Sequence, residues 1–218
     1  MVVSFDPAAD IPMKLRQRIE RWSVSPPRLQ FSQYGPLDKY FNLRFPKALV
    51  KPQGLLRPKD NTPDVSYFEI LSHMDVGQDV SVDSTGQAVE AEKHYPDFLV
   101  TSYYEQNAEG GWPSDFVRLV CEIGSLYDQP APTASQKAAI QVQLSEYMYL
   151  LGSEGERWDE RAIGVAIIGT EVSFAKSRRE TDENGMEYVK WTKGAWLSLY
   201  GKEWDAEMKR IAAIIEKD

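Results

Sequence analysis

Two β-rich runs separated by a dense stretch of turn residues constrain this chain more than any other feature. The first, FLVTSYY, begins just after Pro96-Asp97, and the second, FVRLVCEI, covers residues 116 to 123. Both are enriched in β-branched, aromatic and aliphatic residues, as strands are. Residues 106 to 115, with the run NAEGGWPSD, carry turn chemistry almost throughout. A hairpin folded at the midpoint between Glu109 and Gly110 sets Asp97 opposite Glu122. Cross-strand neighbours hold their Cβ atoms about 4.5–5.5 Å apart. Two carboxylates at that separation repel unless a proton or a cation lies between them, and a hard divalent cation suits oxygen ligands of this kind. A one-residue slip would turn one carboxylate to the opposite face.

The flanking sequence predicts a mixed α/β (α+β) fold. Residues 10 to 23 read as a helix with Ile11, Leu15, Ile19 and Trp22 on one stripe, Asp10 as a cap and Ile-Pro opening the first turn. Residues 24 to 64 are rich in proline and read as an irregular excursion, with a short helix around LDKYFNL and a flexible piece from Lys51 to Pro63. Residues 65 to 72 read as a short helix. The strongest helix is expected over 134 to 151, where Ile140, Leu144, Tyr147 and Leu151 form a stripe that Gly152 ends. A third strand at 162 to 169 (AIGVAIIG) is apolar on both faces and so belongs in the middle of a sheet. Asn184-Gly185 marks a hairpin. A closing helix over 202 to 216 presents Trp204, Met208, Ile211 and Ile215 on one face.

Tyr95-Pro96-Asp97, the following strand, and Glu122-Ile123-Gly124 in the next strand resemble the Pro-Asp and Glu-x-Lys motifs of the PD-(D/E)XK nuclease superfamily. Gln143 and Tyr147, in the run QLSEY, are similar to the Gln-x-x-x-Tyr helix motif of its RecB-like branch. Restriction-endonuclease-like domains in many fungal proteins share this flavour. The resemblance covers about residues 87 to 170. It implies a restriction-endonuclease-like core, a central mixed sheet flanked by helices. Residues 65–218 would form that domain, and residues 1–64 would add a helix and a Pro-rich extension packed on it as one unit.

The resemblance also implies chemistry. Asp97, Glu122 and the carbonyl of Ile123 would hold Mg²⁺ or Mn²⁺, and Gln143 and Tyr147 would orient a phosphate or the attacking water. Glu90, Glu92 or His94 would add a further ligand or proton acceptor. The activity implied is metal-dependent hydrolysis of phosphodiester bonds in DNA, or in RNA. One departure is serious: the motif lysine, two positions after Glu122, is Gly124 here. Either the basic residue has moved to the next helix, where Lys137 stands, or the domain has kept its fold as an inactive binding, regulatory or effector module with a protein or nucleic-acid partner. Lys137 precedes Gln143 by six residues and so lies about 120° from it around a helix.

Plainer readings stand beside these. Tyr147 lies on an apolar stripe and reads equally as core, and Gln143 reads equally as solvated. Lys176, Arg178 and Arg179 are the candidates for a phosphate backbone, with an exposed hairpin as the alternative. The Trp-rich segment 191 to 204 reads as core before it reads as a base-stacking surface. Net charge is −8, which excludes a protein that coats nucleic acid electrostatically but not an acidic metal site. The single cysteine excludes an internal disulfide framework. The residues show no secretory signal and no apolar run of about 20 that would span a membrane, so an intracellular protein is expected. The proline-rich excursion is read as a cover for the site, a dimer contact or a partner-holding segment.

Overall fold

The computed structural model describes residues 10–53, 96–102, 116–153, 158–181, 183–185, 187–199 and 201–217. Helix α1 (Met13–Glu20) runs into a single 3-10 turn (Arg21–Ser23), and α2 (Phe31–Arg44) follows. The strands are β1 (Leu49–Pro52), β2 (Phe98–Ser102), β3 (Phe116–Gly124), β4 (Trp158–Ile168), β5 (Glu171–Thr181) and β6 (Glu187–Ser198). Helix α3 (Ala134–Ser153) connects β3 to β4, and α4 (Lys202–Ile215) closes the chain.

The six strands lie side by side in chain order. Neighbours are antiparallel except β3 and β4, which are parallel. Parallel neighbours need a long crossover, and α3 supplies it. The sheet is therefore mixed, with helices on both faces. On one face α1, α2 and α4 bury Ile19, Leu37, Phe41, Trp204 and Met208 against Phe98, Leu119, Cys121, Val165 and Phe174. On the other, α3 buries Ile140, Leu144, Tyr147 and Met148 against Leu99, Val120, Ala162 and Ala166.

β4 shows how sequence sets the spacing of these layers. Its side chains alternate between faces. Ile163, Val165 and Ile167 point to the large three-helix core, while Ala162, Gly164 and Ala166 lie under α3. Small residues on that face let the helix approach closely. A Cβ at Gly164 would stand 3.0 Å from the Met148 sulfur and 3.1 Å from Leu144.

The structure departs from the sequence reading mainly in the proline-rich region. Much of it is regular: α2 spans 14 residues with Pro36 inside it, and β1 is an edge strand of the sheet. Pro36 removes one helical N–H, yet Leu37, Tyr40 and Phe41 beyond it are almost fully buried. Tertiary packing of those rings outweighs the local penalty of proline. Asp10 does not cap α1; the carbonyl of Pro12 accepts from Leu15 and Arg16 instead. The segments expected as a short helix at 65 to 72 and as turn at 106 to 115 lie outside the described residues.

Gly164→Val should force α3 off the sheet or compress Met148 and Leu144. Overpacking of this kind costs about 1–3 kcal/mol. A chemical melt of the variant should show that loss, and unchanged stability would mean that α3 is not seated on Gly164.

Candidate metal centre at the end of the β2–β3 pair

The carboxylates meet where the hairpin register says they should. Phe98 pairs with Cys121, Leu99 with Val120 and Val100 with Leu119. One step further along the same register lie Asp97 and Glu122. A one-residue bulge does occur, but between Val100 and Thr101, on the turn side, so it leaves the Asp97 end in register. Asp97 is 4% exposed and Glu122 is 6% exposed.

The polar groups of Asp97 are held from three segments: β3, the residue after β1, and α2. Its N–H donates to Glu122 Oε2 at 3.4 Å. Its carbonyl accepts from the N–H of Gln53, just past β1, at 2.8 Å. Oδ2 accepts from the Ile123 N–H at 2.6 Å, and Oδ1 accepts from the hydroxyl of Tyr34 on α2. The Tyr34 ring is held edge-on to Phe98 at 5.5 Å. α2 comes from one face of the sheet and α3 from the other, and both reach this end.

Burial pushes the Asp97 carboxyl up to about 6, against the opposing pull of the Tyr34 hydroxyl and the Ile123 amide. Glu122 is held well above the usual carboxylate range by burial first and by the charge of Asp97 second. Burial, and then the Asp97 carboxylate, also raise the Tyr34 phenol. Tyr147 rises through burial and then the charge of Glu122, which places its hydroxyl in the field of the same pair. Both phenols therefore stay protonated near neutral pH and act as donors. Gln143 Nε2 donates to the Tyr147 hydroxyl at 2.9 Å, so the helix pair QLSEY presents one joined polar unit.

Lys137 is not brought to the carboxylates. Its ammonium pairs with Glu171 Oε2 at 2.6 Å and lies 5.5 Å from the ring of Trp196. Glu171 opens β5, two strands away from β3, or about 10 Å at normal strand spacing. Gly124 has a packing reason to lack a side chain. A Cβ there would stand 3.1 Å from Ile168 Cδ1 and 3.2 Å from Ile140 Cδ1. The place of the motif lysine is thus filled by α3 and β4 side chains.

Lys176 and Arg178 lie two residues apart on β5 and so share a face of that strand. Lys176 pairs with Glu207 of α4 at 3.0 Å, on the face away from α3. Ile123 enters the centre through its amide. Cys121 is buried in the large core, Trp204 stacks inside it, and Trp191 and Trp196 pack at the margin of the α3 core. Glu90, Glu92 and His94 lie outside the described residues. Sequence reasoning missed Tyr34 and Gln30. The run around Tyr34 continues into Gly35-Pro36, which reads as a turn, and no local pattern announces a partner 63 residues away.

Among the described residues no third His, Cys, Asp or Glu joins the pair to make a metal-holding cluster. The donor set still fits Mg²⁺ or Mn²⁺, because Mg²⁺ is commonly held by one or two carboxylates and completes its shell with water and substrate oxygens. No family model, no curated protein and no solved structure matches this chain.

The raised carboxyls give a pH signature in metal-free protein. Between the ordinary Asp value of 3.8 and about 6, the folded chain holds more protons at Asp97 than the unfolded chain does. Stability from this group is complete at low pH and is lost as pH rises through that window. Glu122 extends the loss to higher pH. Thermal melts in EDTA should therefore show Glu122→Gln gaining stability over wild type as pH rises. A difference that stays flat or reverses would contradict the raised values.

Proposed function

We propose that this chain is a PD-(D/E)XK nuclease-like domain that holds Mg²⁺ or Mn²⁺ at Asp97 and Glu122 and hydrolyses phosphodiester bonds in nucleic acid. The observation that carries the reading is the buried carboxylate pair at the end of β2 and β3, within the order helix, three antiparallel strands, helix and parallel strand, with Tyr147 and its partner Gln143 on the following helix. The order of elements supports a restriction-endonuclease-like core. The carboxylates would hold the ion, which when bound supplies Lewis-acid stabilisation of charge on the scissile phosphate. Tyr34 and the Ile123 amide hold Asp97 in one orientation. Tyr147, with Gln143 behind it, offers a protonated hydroxyl that can donate to a phosphate oxygen or orient the attacking water. The apolar walls lower the local dielectric and strengthen those interactions.

A second reading is favoured by one observation. Among the described residues no ammonium is brought to this site, since Gly124 is closed over and Lys137 is paired with Glu171. On that reading the domain is an inactive scaffold that binds a protein or nucleic-acid partner.

Incubation with single- and double-stranded DNA and RNA plus Mg²⁺ or Mn²⁺ separates the two. The nuclease reading expects cleavage that Asp97→Asn and Glu122→Gln each reduce by at least about 100-fold, the loss of several kcal/mol of metal-borne stabilisation. Lys137→Ala should leave the rate within about threefold, because its charge is committed to Glu171. Cleavage that survives both carboxylate substitutions would overturn the mechanism. No cleavage of any substrate, with Mn²⁺ still bound, would establish the inactive scaffold.

A further inference from the structure

Asp97 belongs to a closed hydrogen-bonded ring that joins α2 to the strand carrying Glu122. The Gln30 amide N–H donates to Ser125 Oγ at 3.0 Å. The Gln30 side-chain Nε2 donates to the Tyr34 hydroxyl at 3.3 Å, and that hydroxyl donates to Asp97 Oδ1. Asp97 Oδ2 accepts from the Ile123 N–H at 2.6 Å, and two residues along the backbone the ring returns to Ser125. A second backbone bond, Tyr127 N–H to the Arg28 carbonyl at 2.9 Å, closes the same seam beside it.

We propose that Tyr34, oriented by Gln30 and anchored through Ser125, is the positioning residue that sets the plane of the Asp97 carboxylate for a divalent cation. The proposal rests on the metal-site reading above and extends it to α2, a segment that the motif does not include. A carboxylate has about four acceptor directions on its two oxygens. The Ile123 amide takes one on Oδ2 and Tyr34 takes one on Oδ1, which fixes the plane and leaves one direction on each oxygen without a donor among the described residues. A phenol suits the task because it is a neutral donor. A lysine or arginine in its place would hold Asp97 equally well but would repel the incoming ion. Gln30 supplies the missing constraint on the phenol: by donating to its oxygen, it turns the O–H toward Asp97, and hydrogen bonds in such a chain reinforce one another.

Residues that orient a ligating group are worth about 10- to 100-fold in metal affinity. Mn²⁺ titration of the full chain by calorimetry, with wild type beside Tyr34→Phe, Gln30→Leu, Ser125→Ala and the Tyr34→Phe/Gln30→Leu pair, tests the ring. Tyr34→Phe keeps the ring contact with Phe98, so the fold is retained, and a thermal melt of each variant verifies it. The expected result is an affinity loss of about 10-fold or more for Tyr34→Phe. Gln30→Leu and Ser125→Ala should lose less, and Gln30→Leu should cost nothing further once Tyr34 is Phe. That non-additivity is what a relay produces and what two independent packing roles do not. Wild-type affinity in Tyr34→Phe, or strictly additive losses in the pair, would overturn the positioning role while leaving the metal site standing. Failure of wild type itself to bind Mn²⁺ would overturn both.

Discussion

The burial of two adjacent carboxylates is the constraint around which this end of the molecule is organised. An ionised carboxyl taken out of water without compensation is among the most expensive groups a fold can contain. Here two share one site, and the structure meets the cost in three ways. Burial raises the proton affinity of both carboxyls. Backbone N–H groups of Asp97 and Ile123 serve as donors to the opposite carboxylate. The hydroxyl of Tyr34 comes in from a different layer. Each device satisfies the oxygens without bringing a full positive charge, which leaves the pair attractive to a cation.

The layers explain why the centre lies at this end of the sheet. α2 and α3 sit on opposite faces, and at Asp97, just before β2, and Glu122, near the end of β3, side chains from both come together. α3 is drawn in close by Gly164 and its small neighbours on β4, which sets Tyr147 near Glu122. The same close approach leaves no room at Gly124, where Ile140 and Ile168 meet. Tight seating of the helix and absence of the motif lysine are thus one packing fact. Lys137 on α3 is paired with Glu171 and lies by the ring of Trp196. Among the described residues, the hydroxyls of Tyr34 and Tyr147 stand by the carboxylates.

The register of the Asp97–Glu122 pair was legible because turn composition and strand period are local properties: the midpoint of one turn determines which residues face each other. The apolar stripes of α3 and α4 were legible for the same reason, and Ile140, Leu144, Tyr147, Trp204, Met208, Ile211 and Ile215 are all buried. Tyr34 was not legible, since its role depends on a helix that carries Pro36 against its local propensity and docks across 63 residues of sequence. The destination of Lys137 was hidden likewise: the helical wheel gave its angle from Gln143, but Glu171 comes from a strand formed 34 residues later. The partner of Lys176 was hidden in the same way, since Glu207 comes from the closing helix.

The claim on which the account turns is that Asp97 and Glu122 form a cation site. The most direct measurement is a crystal of the full chain soaked in Mn²⁺, with anomalous scattering recorded at the manganese edge. The account predicts a single strong peak within coordination distance, about 2.0–2.5 Å, of carboxylate oxygens from both residues. A map with no peak there, in crystals that show the two side chains ordered and hydrogen-bonded to each other and to Tyr34, would contradict it.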